Sequence, residues 1–455
     1  MSYNREHDPA AIPLLPIAAP ELEAWITRAP ARHQRWLKSS RFEAKPGQWC
    51  ALPGDDGEIT EVVFGMENDG WLYQLAGLPA SLPAANYRLV SIWNEDQRIQ
   101  ASLGWGLGSY RFERYKSASE PRPVLCLEDD IAPIVERMYD AQALVRDLVN
   151  TPTEDMGPGE LASAVTGIAD EFGARIETIT GDDLLTEDFP AVHAVGRAAQ
   201  RAPRMICMSW GERKAPLLAL VGKGVCFDTG GLDLKTAAGM KLMKKDMGGA
   251  AHALALARLV MQYELPVRLL LLIPAVENSV AGNAYRPGDV VHTRKGLSVE
   301  IGNTDAEGRV ILADGLAYAC EHGPDLIIDF ATLTGAARVA LGPDLPPIFS
   351  NHLEIAQSIA DAGERVEDPV WVMPLYQPYR KMLKSGIADL NNISNSNYGG
   401  CITAALFLEH FVTPETHWVH IDTFAWNQND RPGRPTGGEA IGMRAVFNYL
   451  RERYG

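Results

Sequence analysis

The stretch GGAAHALALARLVMQYELPVRLLLLIPAV (residues 248–276) joins two different apolar patterns. Its first half has the length and composition of a helix, whereas its second half is a short continuous apolar run, as in a strand that is buried on both faces of a sheet. Similar runs occur at 216–222 and 325–335. Buried strands that alternate with helices predict an α/β domain whose mixed, mostly parallel sheet is covered by helices.

The chain before this region is organised differently. Residues 1–130 contain many Trp and Pro residues and short strand-like runs such as EVVFGM (61–66), which predict a smaller N-terminal α/β domain. Residues 131–152 carry apolar side chains at helical spacing and predict a long connecting helix. Residues 153–455 then form the larger C-terminal domain. Two domains are expected, because a chain of 455 residues is too long for one hydrophobic core.

The composition argues against several classes of function. The formal net charge of -16 would repel a phosphate backbone, so nucleic acid is not expected as a partner. The longest aliphatic run is about half of the roughly 20 residues that span a bilayer, so no membrane span is expected. The first 20 residues do not have the pattern of a secretory signal, and the six scattered cysteines form no CxxC pair. We therefore expect a cytoplasmic protein with reduced, mostly buried thiols.

Three segments carry charged residues beside candidate strand ends or helix starts: VGKGVCFDTGG (221–231), MKKDMGGA (243–250) and GNTDAEGR (302–309). Ligand sites in α/β sheets lie outside the carboxyl ends of the strands. If the third segment is extended, Asp305 and Glu307 point the same way, two residues apart. A surface ion pair would also explain that motif taken alone. The flanking glycines favour a ligand site, because glycine lets the backbone pass close to a ligand.

The acids of these segments suggest a metal site. If Asp228, Asp246, Asp305 and Glu307 converge, their charges require cations. Ligand sets rich in oxygen suit Mg or Mn and, less typically, Zn, and two ions that share carboxylates lie roughly 3.5–4 Å apart in dinuclear hydrolytic sites. The sequence contains no HExxH motif, and His252 is interpreted as a packed helix residue.

Two lysines lie close to Asp228 in the sequence. Lys223 and Lys235 could each be a surface residue, but a lysine beside two dications would have its pKa lowered, because the charged form is repelled. One of them could then bind metal as a neutral amine while the other stays protonated and holds a substrate carbonyl group.

Together these segments resemble the leucyl aminopeptidase family of cytosolic dinuclear metallo-aminopeptidases. NTDAEGR (303–309) is that family's signature. RPGDV (286–290), DLIIDFATLTGAA (325–337) and the pattern AD..N......GG..TAA (388–405) also occur in the family's order. The likeness covers about residues 145–455.

The resemblance implies a metal-dependent aminopeptidase. Such an enzyme releases amino acids from peptides with a free N-terminus, by attack of a water or hydroxide that bridges two divalent ions (Zn, Mn or Mg). The resemblance also implies a homo-hexamer and two catalytic residues, Lys235 and Arg309, the second of which would hold a bicarbonate ion as a proton shuttle. The implied metal ligands are Lys223, Asp228, Asp246, Asp305 and Glu307, with Asp228 and Glu307 bridging.

The pocket for the first side chain of the substrate departs from the family's pattern. Met243, Thr332 and Gly335 match positions that line this pocket, and they suit a medium apolar residue such as Leu or Met. In HIDTFAW (420–426), however, Phe424 stands where a small residue is common in the family. A bulkier wall would narrow the pocket, so a preference for leucine does not follow.

Two other functions remain open from the sequence. A dinuclear phosphoesterase also needs carboxylate-bridged metals, although such sites usually add histidine or asparagine ligands, of which these motifs contain few. A binding protein that kept the fold without the activity would be expected to have lost a ligand, whereas all five ligand positions are occupied here.

Overall fold

The computed structural model describes residues 2–5, 8–67, 69–116 and 121–455. It divides into two compact units. The first unit is the chain up to Ala143 together with Gln428–Thr436, and the second is Leu144–Asn427 together with Gly437–Gly455. The segment Gln428–Thr436 thus belongs to the first unit, although the sequence analysis groups it with the C-terminal domain.

The first unit is built on a six-stranded sheet. Its strands are β1 (Tyr3–Asn4), β2 (Ile12–Ala18), β3 (Trp49–Pro53), β4 (Ile59–Met66), β5 (Asn86–Leu89) and β6 (Val124–Cys126). Their spatial order is β1-β6-β5-β2-β4-β3, and all neighbours are parallel except β3 and β4. The run EVVFGM lies within β4. The prediction of an N-terminal α/β domain is therefore confirmed.

Four helices accompany this sheet: α1 (Leu22–Arg28), α2 (Ala31–Ser39), α3 (Glu95–Ser109) and α4 (Ala132–Asn150). The helix α3 packs against the single-turn helix Trp71–Tyr73, and two of its glycines face carbonyl oxygens. A Cβ atom at Gly104 would lie 1.7 Å from the carbonyl oxygen of Leu72, and one at Gly108 would lie 1.9 Å from that of Ala76. The glycine-rich run thus serves close backbone packing. The helix α4 contains the boundary between the two units.

The second unit contains a nine-stranded sheet whose strands are β7 (Arg175–Thr180), β8 (Arg204–Trp210), β9 (Leu217–Gly222), β10 (Gly224–Asp228), β11 (Arg268–Asn278), β14 (Leu326–Ala331), β15 (Pro347–Ser350), β16 (Trp371–Val372) and β18 (His417–Asp422). The order is β16-β15-β18-β14-β9-β11-β8-β7, with β10 also paired to β11. The central pairs are parallel, and antiparallel pairs lie toward both ends. The mixed, mostly parallel sheet is confirmed, and the three apolar runs are β9, β11 and β14.

Two smaller sheets complete the second unit. Their strands are β12 (Val290–His292), β13 (Ser298–Glu300) and β17 (Leu390–Asn391), which pair with one another, and β19 (Trp426–Asn427) and β20 (Gly437–Gly438), which form a separate pair.

Helices cover the large sheet on both faces. The α-helices of the second unit beyond α4 are α5 (Pro158–Phe172), α6 (Asp183–Thr186), α7 (Pro190–Gly196), α8 (Ala237–Met240), α9 (Gly248–Gln262), α10 (Glu307–Glu321), α11 (Gly335–Leu341), α12 (Leu353–Arg365), α13 (Gly400–Glu409) and α14 (Met443–Tyr454). Ala219 and Val221 of β9 share a buried cluster with residues of α10. Leu218 and Leu220 point to the opposite face, since side chains alternate along a strand, and α9 also packs on β9.

Two sequence expectations concern the whole chain. All six cysteines are free thiols, four of them buried and two half-buried, as predicted. Within the described ranges, no helix is both long and apolar enough to cross a membrane.

Two glycines inside helices are expected to respond to alanine in opposite ways. Gly104→Ala should lower the free energy of unfolding by about 1–3 kcal/mol, because the added methyl group meets the Leu72 carbonyl oxygen. Gly167→Ala in α5 should raise it by roughly 0.5–1 kcal/mol, because that exposed position has open space and alanine has the better helix propensity. Thermal unfolding of both variants measures the two shifts. Equal shifts would contradict the packing of α3.

Candidate active site and metal centre

The candidate site begins where three strands of the large sheet end. Lys223 follows β9, Asp228 is the last residue of β10, and Thr332 follows β14. The backbone of Lys223 connects the end of β14 to the start of α9, because its N–H donates to Phe330 O at 3.0 Å and its carbonyl accepts from Ala250 N at 2.9 Å. The start of α9 is thereby held against the ends of β9 and β14, and the polar residues after the strands lie side by side.

The segment 302–309 brings its acidic residues to the same strand ends, but in a conformation different from the predicted one. The extended conformation assumed for Asp305 and Glu307 is wrong. The side chain of Asn303 accepts from Asp305 N at 2.7 Å and closes a turn, after which Glu307 begins α10. A turn followed by a helix start still brings the acids together. Asp228, Asp305 and Glu307 offer carboxylate oxygens that lie within 4.8 Å of one another.

Lys223 connects the fourth acid to this cluster on its buried side. Its Nζ lies 2.7 Å from Asp246 Oδ2 and 3.0 Å from Glu307 Oε1, and it donates to Thr332 O at 2.9 Å. The three charged side chains are nearly fully buried. Gly308 makes room for the lysine, since a Cβ atom there would lie 2.3 Å from Lys223 Cε. Glu307 therefore supplies a carboxylate, and Gly308 beside it leaves space for the side chain of Lys223.

Lys235 occupies the open side of the cluster. Its Nζ lies 2.8 Å from Asp228 Oδ2, and it also pairs with Asp305. The side chains of Lys235 and Asp305 are 15% and 33% exposed, whereas that of Asp228 is buried. The structure therefore brings together all four predicted acids and both predicted lysines, with one lysine buried and the other accessible from solvent.

The buried carboxylates are under electrostatic strain. Burial, followed by the charge of Asp228, raises the pKa of Glu307 to about 8. Burial, followed by the charge of Asp246, raises the pKa of Asp228 to about 6. Burial on its own would lower the pKa of Lys223, but the surrounding carboxylates raise it above its usual range. The cluster thus holds more negative charge than its two lysines neutralise.

These residues fit divalent cations. Glu307 Oε2 is buried and has no hydrogen-bond partner among the described residues. When all four carboxylates are ionised, they exceed the two ammonium groups by two negative charges. Carboxylate oxygens are the ligands that Mg and Mn prefer, and they also bind Zn. The donors, the excess charge and the unpartnered oxygen all point to bound cations.

A second layer of residues, to which the sequence analysis assigned no role, orients the cluster. Asn278, the last residue of β11, donates to Asp228 Oδ1 at 2.9 Å and to Thr304 O at 3.0 Å. Thr304 Oγ1 donates to Gly230 O at 2.6 Å, and Tyr285 OH donates to Thr304 O at 2.6 Å. The loops that carry Asp228 and Asp305 are therefore joined to each other. The sequence could have pointed to Asn278, because it lies at the end of a predicted strand.

Asn392 holds the other side of the 302–309 segment. Its side chain accepts from Gly302 N at 2.8 Å and donates to Asn303 O at 2.7 Å. Its carbonyl oxygen accepts from Arg309 at 2.8 Å. Asn392 is the asparagine of the pattern AD..N, so the sequence contained the residue but not its role.

Arg309 lies in the first turn of α10 and is buried. Burial lowers the pKa of Arg309 to about 10, and the charges of Glu307 and Asp422 oppose this shift. Apart from its bond to Asn392, we find no ion pair or hydrogen bond of this guanidinium among the described residues, and its buried Nε has no partner. The guanidinium therefore keeps donors for an anion.

Two of the three predicted pocket residues, Met243 and Thr332, lie beside Asp246. Met243 begins the short helix Met243–Met247 that contains Asp246, and Thr332 Oγ1 donates to Asp246 Oδ1 at 2.7 Å. Gly335 is the exposed first residue of α11. Phe424 follows β18 and is buried, with the side chains of two cationic residues, Lys245 and Arg338, over its ring.

His252 is a packed helix residue, as interpreted from the sequence. Its Nδ1 bonds to Gly248 O at 2.7 Å, and its Nε2 accepts from Ile441 N at 2.9 Å. Burial lowers its pKa to about 4. The ring is therefore neutral and connects α9 to the loop before α14.

A carboxylate and lysine cluster at the strand ends of an α/β sheet defines the class of metal-dependent hydrolases. Family models assign the chain within that class. The catalytic domain of the cytosol aminopeptidase family matches residues 143–447, and the N-terminal domain of the same aminopeptidases matches residues 12–128. The chain belongs to the cytosol aminopeptidase family, and it is a metallo-exopeptidase of the aminopeptidase type. The comparisons favour this function over a phosphoesterase.

Individual relatives agree with the family match. The "Probable cytosol aminopeptidase" of Roseiflexus castenholzii is 39% identical over 365 residues, which cover 76% of this chain and 74% of that protein. The crystal structure of the cytosol aminopeptidase from Coxiella burnetii has a TM-score of 0.98 at 50% identity and full coverage of both chains. The bottromycin maturation enzyme BotP in complex with Mn has a TM-score of 0.88 at 31% identity, covering 98% of this chain and 100% of that chain.

Removing one carboxylate of the cluster is expected to weaken cation binding. Glu307→Gln keeps the shape of the side chain but removes its charge and one anionic oxygen. Since changes that only reorient ligands cost about 10–100-fold in metal affinity, we expect at least a 10-fold loss of Mn²⁺ affinity. Titration calorimetry on metal-free protein measures this affinity, and metal analysis after dialysis measures the metal that stays bound. The exposed Glu212→Gln is the control, and unchanged Mn²⁺ binding by Glu307→Gln would contradict the site.

Proposed function

We propose that the chain removes the first residue from peptides with a free N-terminus by means of two divalent ions bound at the cluster. The observation that carries this proposal is the pairing of four carboxylates with two lysines at the strand ends, with an excess of negative charge and the unpartnered oxygen of Glu307. The proposed ligands are Lys223, Asp228, Asp246, Asp305 and Glu307, with Asp228 and Glu307 bridging.

A pair of divalent ions would supply a nucleophile at neutral pH, because a bound water can have its pKa lowered from about 16 to about 7. This chemistry accounts for the absence of a histidine base from the proposed set. The same positive charge would lower the pKa of Lys223, which the carboxylates alone raise, and would let its neutral amine act as a ligand. The metals that we propose are Zn, Mn or Mg, and the manganese complex of BotP supports manganese.

Lys235 is the proposed electrophilic residue. Its ammonium group lies on the open side of the cluster, and the carboxylate of Asp228 supports its positive charge. A cation in this position can hold the carbonyl oxygen of the scissile bond and stabilise the negative charge that develops on it. Its partly exposed side chain gives it access to a substrate that Lys223, on the buried side, does not have.

Arg309 is the proposed anion-binding residue. Its buried guanidinium has donors without partners among the described residues, and the family resemblance implies a bicarbonate ion at this position. Arg309 would hold such an anion beside the cluster, where it would supply proton-transfer chemistry that no histidine among the described cluster residues provides.

Met243, Thr332 and Gly335 are the proposed walls of the pocket for the first side chain. Phe424 would narrow this pocket, so the preferred residue is not inferred from the family. We also propose a cytoplasmic location, peptide substrates rather than nucleic acid, and assembly into a homo-hexamer. The family membership of the chain supports each of these proposals.

Replacing Lys235 by Met is expected to lower kcat by about 100-fold or more, because one preorganised donor to the developing oxyanion is lost. Hydrolysis of alanine p-nitroanilide by the manganese-loaded variant measures this loss. Metal content should remain that of the unaltered protein, since Lys235 is proposed to act on substrate. A variant that loses its metal together with its activity would show instead that Lys235 mainly maintains the metal site.

The proposed assembly has its own measurement. Light scattering coupled to gel filtration should give a molar mass of six chains at micromolar concentration. A mass of one or two chains would contradict the hexamer, and it would leave the metal chemistry of the single chain unaffected.

A further inference from the structure

A buried lysine beside the cluster forms no ion pair with any described carboxylate. Lys245, in the short helix Met243–Met247, is 3% exposed. We find no ion pair or side-chain hydrogen bond of its Nζ among the described residues, and its aromatic contact is Phe424, whose ring centroid lies 5.1 Å away. A buried ammonium group that lacks hydrogen-bond acceptors is costly, so such groups normally have an anionic partner.

A second cation contacts the same ring. Arg338 of α11 is half-buried, and its Cζ lies 4.5 Å from the ring centroid of Phe424. This arginine also lacks an ion pair with any described carboxylate. The contact of a cation with a ring face is attractive, but it leaves the N–H groups of both residues available to an acceptor. The cationic groups of Lys245 and Arg338 thus lie in one small volume against the ring of Phe424, and neither forms an ion pair with a described residue.

This volume lies at the proposed pocket. Lys245 immediately precedes Asp246, and a Cβ atom at Gly335 would lie 3.6 Å from the guanidinium of Arg338. An aminopeptidase binds the amino group next to the scissile bond, so the side chain on the same α-carbon must lie beside the catalytic cluster. That side chain would meet the walls formed by Met243 and Gly335, and with them the two cations.

The carboxylate of Asp422, the last residue of β18, is occupied by hydrogen bonds of its own. Its Oδ1 accepts from Leu333 N at 2.9 Å, and its Oδ2 accepts from Thr334 Oγ1 at 2.6 Å. It forms no ion pair with either cation among the described residues. The positive charge at the pocket therefore remains available to a ligand.

We propose that Lys245 and Arg338 select an acidic first residue, aspartate or glutamate, in the peptide substrate. The proposal rests on the proposed aminopeptidase function and gives its substrate class. A side-chain carboxylate would supply the anion that both cations lack, and it would not require a wide apolar pocket, which Phe424 would narrow. Leucine, by contrast, would bury an apolar side chain against two charged groups.

The test compares isosteric substrates. For the manganese-loaded enzyme, kcat/KM for glutamate p-nitroanilide should exceed that for the glutamine compound by about 10-fold or more, since a charged pair is stronger than a neutral hydrogen bond. Lys245→Met and Arg338→Met should each reduce this ratio toward one. The exposed Lys214→Met removes the same charge elsewhere on the unit and should leave the ratio unchanged.

Binding provides a second readout that needs no turnover. Calorimetry should show tighter binding of L-glutamate than of L-glutamine, and each pocket variant should lose this difference. Arg338→Met, at a half-buried position, supplies the comparison if Lys245→Met fails to fold. Absence of cleavage of any aminoacyl substrate would refute the proposed function, while the binding difference would still support the acidic pocket. Equal affinities for L-glutamate and L-glutamine would overturn the proposed selection of an acidic residue. So would a glutamate-to-glutamine ratio of kcat/KM near one in the unaltered enzyme, or a ratio that neither substitution reduces.

Discussion

The structure of the site depends on one constraint, which is the excess of buried negative charge at the ends of β9, β10 and β14. Four carboxylates share two lysines, and one carboxylate oxygen of Glu307 has no hydrogen-bond partner in the described parts of the chain. Burial and mutual repulsion raise the pKa of Glu307 and of Asp228. Such a cluster either takes up protons or binds cations, and divalent ions would keep its carboxylates ionised at neutral pH.

The rest of the second unit can be understood as the support that this cluster requires. The buried sheet fixes the strand ends, and Gly308 gives Lys223 the space to reach two acids. Asn278 and Asn392 hold the flanking loops through their side-chain amides, which satisfy backbone groups without adding charge. Under the proposed function, the buried lysine would bind metal and the accessible lysine would contact the substrate, although both side chains have the same chemistry.

The sequence predicted the parts of the molecule that local patterns determine. The apolar runs of β9, β11 and β14 and the helix α9 were recognisable, because burial on both faces requires continuous apolar sequence. The charged residues of the site were found from their positions beside strand ends and from the family resemblance. The extended conformation predicted for 302–309 was wrong, because spacing alone cannot distinguish an extended segment from a turn followed by a helix. The roles of Asn278 and Arg338 depend on contacts with residues distant in sequence, and so does the membership of Gln428–Thr436 in the first unit.

Diffraction from crystals soaked in Mn²⁺, with anomalous data collected above and below the manganese absorption edge, tests the central claim most directly. The account predicts two anomalous peaks per chain among the carboxylates of Asp228, Asp246, Asp305 and Glu307, roughly 3.5–4 Å apart. A single peak, or peaks elsewhere on the surface, would contradict it.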